Sequence, residues 1–174
     1  MPEHRPPINL SIVIDRSTTR RPDPAHDAAL CALPPAVAFS VSPADRQLEG
    51  FLAAASKAGH PILMTLPVVP GGDDPGGDAI AASQDEARIR QRLAAALARV
   101  PGAAGCTNLA RSRATADARV MEIVFAGMRD RRLRYLDSRL STASIGCAAA
   151  GVAGVTCLQG DLLLDAVDEQ PAVE

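Results

Sequence analysis

The sequence predicts an α/β protein built on a parallel sheet, and three observations predict it. Short apolar runs alternate with longer amphipathic stretches along nearly the whole chain. The first run, Asn9-Leu10-Ser11-Ile12-Val13-Ile14, stops abruptly in Asp15-Arg16. An apolar run bounded by polar residues suits a strand buried on both faces, as in a parallel sheet. An acid at the carboxyl end of such a strand stands where α/β proteins place their chemistry. Third, neither a Gly-x-Gly-x-x-Gly turn nor a Walker lysine follows that strand, so nucleotide-phosphate binding has no support. The alternation leaves two arrangements open, a barrel or a doubly wound sheet.

Taken in order, residues 1–7 form a proline-containing, charged lead-in. Strand one covers 8–14, and a polar loop with Pro22 and Pro24 follows. A short helix over 25–32 ends before Pro34-Pro35, and strand two covers 36–41. Ser42-Pro43 is suited to open a helix, since serine caps free amides and proline is tolerated at the first helical position. Its apolar stripe is Leu48, Phe51, Leu52, Ala55 and Ala58, and Gly59 closes it. Strand three covers 61–66. The stretch 67–82 is a long loop with a Gly-Asp segment at 71–78, which reads as a flexible loop in preference to a calcium site. Ser83 and Glu86 form a capping box for a helix reaching Val100. Strand four covers 103–107, a helix 117–131, strand five 133–136, an alanine-rich helix 141–150 and strand six 152–158. Residues 8–165 make one domain, and 166–174 a tail.

Composition narrows function. The 174 residues are 47% hydrophobic and 22% charged, with net charge −2, as in soluble globular proteins. No field attracts nucleic acid or an anionic surface, and no run approaches the ~20 apolar residues of a membrane span. The first fifteen residues lack signal-peptide features. Aromatics are limited to Phe39, Phe51, Phe125 and Tyr135, so stacking platforms for sugars or bases are excluded. Cys31, Cys106, Cys147 and Cys157 form no Cys-x-x-Cys pair and read as free buried thiols, with one disulfide as the alternative in an oxidising compartment. The basic cluster Arg129, Arg131, Arg132 and Arg134 reads as a solvated helix end.

Five stretches in this order carry a resemblance: Ile12-Val13-Ile14-Asp15, Ala58 to Pro67, Arg99 to Gly105, Ser112 to Asp117, and Tyr135-Leu136-Asp137-Ser138-Arg139. Together they resemble the divergent polysaccharide deacetylase family over about 8–165. The resemblance implies a distorted (β/α) barrel with outer helices and a setting in carbohydrate (cell-envelope polysaccharide) metabolism. It would place a precursor with an export signal in the envelope or periplasm. In that family strand one ends in two aspartates, one a general base and one a metal ligand. A His-x-Pro-x-Glu-Pro pattern follows strand three, and an Asn-Asn-His-Met-Gly-Ser run follows strand four. Here those positions read Asp15-Arg16, Thr65 to Pro70 and Thr107 to Ser112, with Arg16, Thr65 and Leu109 in place of the metal ligands. The family's further closing strand is absent, so the expected fold is an incomplete barrel of about six parallel strands.

Asp15 and Asp137, both at strand carboxyl ends, are the candidate acid and base. The bland reading has each ion-paired, Asp15 with Arg16 or Arg139 and Asp137 with Arg113 or Arg139. Asn108, Ser112, Arg113 and Arg139 are candidates for binding a polar ligand, with loop capping as the bland reading. No metal and no cofactor are expected. His4, His26 and His60 are scattered, and His60 stands at the wrong end of strand three. The leading expectation is a deacetylase-like domain with weak or absent hydrolysis. The first alternative is a non-catalytic binding or interaction domain, its open barrel edge covered by another chain or a second copy. The second is a hydrolase holding zinc or another divalent metal on rebuilt ligands such as Asp15, His26 and Asp137.

Overall fold

The computed structural model describes residues 10–16, 23–69, 77–108, 114–139 and 144–164. Its elements are β1 (Val13–Asp15), α1 (Pro24–Cys31), β2 (Ala38–Val41), α2 (Leu48–Ala58), β3 (Ile62–Thr65), α3 (Glu86–Arg99), β4 (Gly105–Asn108), α4 (Ala118–Arg129), β5 (Arg134–Asp137), α5 (Gly146–Ala153) and β6 (Cys157–Gln159). The described strands make one sheet in the order β1-β2-β3-β4-β5-β6, every pair parallel. Strict sequential order has no reversal point, which decides between the two arrangements: this is a half-barrel. Right-handed crossovers in one direction put every helix on one face. The other face is the concave inside of the half-barrel, and no described helix covers it.

The register sorts side chains between those faces, because successive strand residues point to opposite sides. Ile14, Phe39, Val41, Ile62, Met64, Cys106 and Tyr135 share the helix side, where the core lies. Phe39 meets Phe51 of α2 edge-on at 5.4 Å, and Tyr135 meets Phe125 of α4 at 5.0 Å. Val13, Asp15, Ala38, Ser40, Leu63, Thr65, Gly105, Thr107, Leu136 and Leu158 share the concave side.

Several boundaries differ from expectation. Strand one is not buried on both faces: Leu10 is 79% exposed and Val13 39%. An edge strand of an unclosed sheet has a neighbour on one side only. The second helix starts at Leu48, not at Ser42-Pro43. Asp45 receives the Gln47 amide at 2.8 Å and also meets Arg16, and these bonds hold 42–47 as turns. Asp85, not Ser83, caps α3 by accepting from Arg88 N at 2.7 Å, since a carboxylate is the stronger acceptor at a positive helix end. Thr115 lies in a single 3-10 turn, and Asp117 caps α4. The last helix starts at Gly146, and strand six at Cys157. Most of the Gly-Asp segment lies outside the described residues, as does all of the lead-in.

At Gly105 the backbone of β5 comes close to β4. A Cβ there would stand 2.4 Å from the Arg134 carbonyl oxygen. Gly105→Ala is therefore expected to cost about 2 kcal/mol through overpacking, read as a lowered urea midpoint with an unchanged slope.

Candidate functional site

Asp15 ends β1 on the concave side and is half-buried. Its Oδ1 accepts from Ser40 Oγ at 3.0 Å. Ser40 is registered on Leu63, and two residues further along β3 the same side carries Thr65, with Thr107 registered beside it. Ser138, just past β5, sets its hydroxyl 3.4 Å from Thr107 Oγ1. Asp15, Ser40, Thr65, Thr107 and Ser138 thus form a row of one carboxylate and four hydroxyls at the carboxyl ends of β1 to β5. Ser40 and Thr107 are buried, while Asp15, Thr65 and Ser138 are half-buried. Thr65 Oγ1 is buried with no hydrogen-bond partner among the described residues. A buried hydroxyl left unpaired costs about 1–3 kcal/mol, so this one is suited to a ligand.

Arg16 does not join the row. Its guanidinium grips Asp27 of α1 through Nε and Nη2 at 2.7 and 2.8 Å, and Nη1 meets Asp45. It lies 4.4 Å over the Phe51 ring of α2. Its side chain is 3% exposed. Hydrogen bonding to Asp27 raises its pKa first, burial opposes, and Asp45 adds to the rise. The expected Arg16–Asp15 pairing gives way to this clamp because Arg16 is directed into the helix layer. There it ties the end of β1 to α1 and to the turn before α2. Its charge is matched there by two carboxylates.

Asp137 shares neither Asp15's face nor its partners. The register puts it on the helix side with Asn108. It is 2% exposed. Oδ1 accepts from Arg139 N at 3.0 Å and Asn108 Nδ2 at 3.3 Å, and Oδ2 from Ser144 Oγ at 2.7 Å. Asn108 in turn receives Ser138 N on Oδ1 at 3.0 Å. Asp137 and Asn108 therefore fasten the β4–β5 crossing to the start of α5. Arg139 meets Asp137 through its backbone, at a φ of 53°. Ser112, Arg113 and Leu109 lie outside the described residues.

The rebuilt metal set is not assembled. Asp15 and Asp137 face opposite sides, His26 is exposed on α1, and among the described residues no three His, Cys, Asp or Glu side chains gather to hold an ion. His60 is buried on Phe39 at 4.7 Å, its ring nitrogens against Val37 O and Cys31 O. His4 lies outside the described residues. Cys147 and Cys157 form a disulfide with Cα atoms 5.3 Å apart, so two of the four cysteines depart from the free-thiol expectation. Cys31 and Cys106 are free, and burial pushes the Cys106 thiol up to about 12. Burial, then the Asp137 carboxylate, drives the Tyr135 phenol above its ordinary value. Its hydroxyl is buried without a partner among the described residues. Among the described residues no helix is long and apolar enough to cross a membrane.

Ser40, Thr107 and Ser138 are the row members that the linear sequence hides. The signal that finds them is strand parity counted from Asp15, which needs the register.

A family model described as divergent polysaccharide deacetylase matches residues 12–174. A curated uncharacterized protein of Haemophilus influenzae is 29% identical over 147 residues, covering 83% of this chain and 52% of its own length. The chain thus spans about half of that relative. The crystal structure of an uncharacterized protein from Agrobacterium tumefaciens C58 superposes with a TM-score of 0.82 at 23% identity. That match covers 94% of this chain and 67% of the other, and it shows the shared fold.

The clamp yields a direct test. Arg16→Ala leaves Asp27 and Asp45 close together with no cation between them. It should lower stability by about 3 kcal/mol, measured by thermal unfolding.

Proposed function

Because the chain belongs to the divergent polysaccharide deacetylase family, we propose that it binds a hydroxyl-rich ligand of carbohydrate metabolism at its concave mouth, with weak or absent hydrolysis. The observation that carries this reading is the row itself: one carboxylate and four hydroxyls, with Thr65 Oγ1 unpaired among the described residues. A hydroxyl both donates and accepts, and Asp15 accepts, so the row complements the hydroxyl and amide groups of an N-acetylated sugar. With only four aromatic residues, all of them packed in the core, recognition rests on hydrogen bonds instead of ring stacking.

The donor set does not fit a divalent ion. Amide hydrolysis near neutral pH draws on a metal that acidifies water and polarises the carbonyl, and zinc takes about three protein ligands of nitrogen, sulfur or carboxylate type. The family's ligand positions here hold Arg16, Thr65 and Leu109. Arg16 is committed to Asp27 and Asp45, and a threonine hydroxyl is a weak donor. Asp15 serves the row as a hydrogen-bond acceptor, holding Ser40 Oγ at 3.0 Å.

In titration calorimetry, wild-type protein should bind N-acetylated chitooligosaccharides, and Asp15→Asn and Thr65→Val should each weaken binding about tenfold, roughly 1.4 kcal/mol. Acetate release should stay at background in all three. Stoichiometric zinc in protein purified without chelator, or acetate release abolished by Asp15→Asn, overturns the reading.

A second reading, an interaction domain, is favoured by the exposed leucines at the two sheet edges. Leu10 flanks β1, while Leu158 lies on β6 and Leu162, Leu163 and Leu164 follow it, at 50–79% exposure. Unpaired parallel edges with apolar flanks recruit further strands. Light scattering should then report a dimer at micromolar concentration, and a clean monomer rejects the second copy as partner.

A further inference from the structure

We propose that the Cys147–Cys157 disulfide is a redox staple that fixes α5 and, through Ser144, holds Asp137 and the Asn108–Ser138 crossing beside the candidate mouth. The two elements it joins are short and bury few side chains. The helix α5 has eight residues, two of them glycine, no side-chain cap at its start, and only Gly146 and Ala150 buried. Glycine within a helix costs about 1 kcal/mol relative to alanine. The strand β6 is three residues long, is half-buried only at Cys157, and pairs with β5 alone among the described strands. A covalent tie across ten residues compensates for contacts that these side chains do not make.

The path from the staple to the mouth is short. Gly146, next to Cys147, packs so closely that a Cβ would stand 2.7 Å from both Asp137 Oδ2 and Tyr135 Cε1. Its amide donates to Ser144 Oγ at 3.3 Å, and that hydroxyl donates to Asp137. At the other end of the staple, Gly160 N donates to Asp137 O at 2.8 Å. Asp137 holds Arg139 N and Asn108, and Asn108 holds Ser138, whose hydroxyl ends the row. Both cysteines are half-buried, within reach of an exchange partner.

The bond forms by thiol–disulfide exchange. One cysteine thiolate attacks a disulfide oxidant such as oxidised glutathione, giving a mixed disulfide and releasing one glutathione thiolate. The second cysteine thiolate then attacks the protein sulfur of that mixed disulfide, closing Cys147–Cys157 and expelling the second glutathione. The protein loses two electrons and two protons, and the oxidant becomes two thiols. Such bonds persist in oxidising compartments, so the oxidised, ordered form belongs to that setting. This inference does not depend on the ligand reading, and its test needs no ligand.

The test is hydrogen exchange on the full chain, oxidised with glutathione disulfide or reduced, with peptide mapping of the linkage. Cys31→Ser/Cys106→Ser is the background control, and Cys147→Ser/Cys157→Ser mimics the reduced state in either buffer. Reduction should speed exchange about tenfold at Gly146, Val155 and Gly160 and also at Ser138 and Arg139, leaving Phe39 and Leu66 unchanged. Three outcomes overturn the proposal. They are no linked 147–157 peptide after oxidation, faster exchange confined to 146–160, and an equal rise at Phe39 and Leu66, which would mark a merely global stabiliser.

Discussion

The structure depends on one constraint, the fixed parity of parallel strands wound in a single direction. Each residue's face follows from its count along the strand, and all helices lie on one side. A carboxylate at an odd step from Asp15 is therefore committed to a different layer. That is why Asp15 and Asp137, alike in position at strand ends, have different surroundings. Asp15 shares the concave side with Ser40, and Asp137 is enclosed among Asn108, Ser144 and the Arg139 amide.

The same parity explains how an arginine is accommodated next to Asp15. A guanidinium turned into the concavity would face Asp15 and occupy the mouth. Turned the other way, it meets two carboxylates and an aromatic face. Such a buried cluster is weak evidence for added stability, since desolvation offsets much of the attraction. What it contributes is definition: α1 and the turn before α2 can sit in one place relative to β1. The mouth keeps a single charged group in its hydroxyl row.

Much of the fold was legible in the residues. Periodicity marked every strand and helix, because an apolar core demands a stripe or an alternation from each. Gly59 closed its helix as expected, whereas Pro24, read as a loop residue, is the first residue of α1. Helix starts were less legible, since several residues compete for the same free amides: Asp85 prevailed over Ser83, and Asp45 was drawn to Arg16 instead of extending α2. The exposure of β1 was hidden for a different reason, as a strand's hydrophobicity does not say whether a neighbour exists to cover it. The candidate row was least legible. Ser40, Thr107 and Ser138 look like ordinary strand and turn residues until five strands are placed side by side. The disulfide was one of several pairings that four cysteines allow, and only the antiparallel return of α5 against β6 brings Cys147 and Cys157 together.

Tyr135 gives this architecture an optical consequence. With one tyrosine and no tryptophan in the chain, near-ultraviolet emission comes almost entirely from one phenol. That ring is fully enclosed between Phe125 and the start of α5, on the strand that carries Asp137. The molecule therefore carries a built-in fluorophore at the joint between its last two β–α units, and its spectrum reports on that joint without any label.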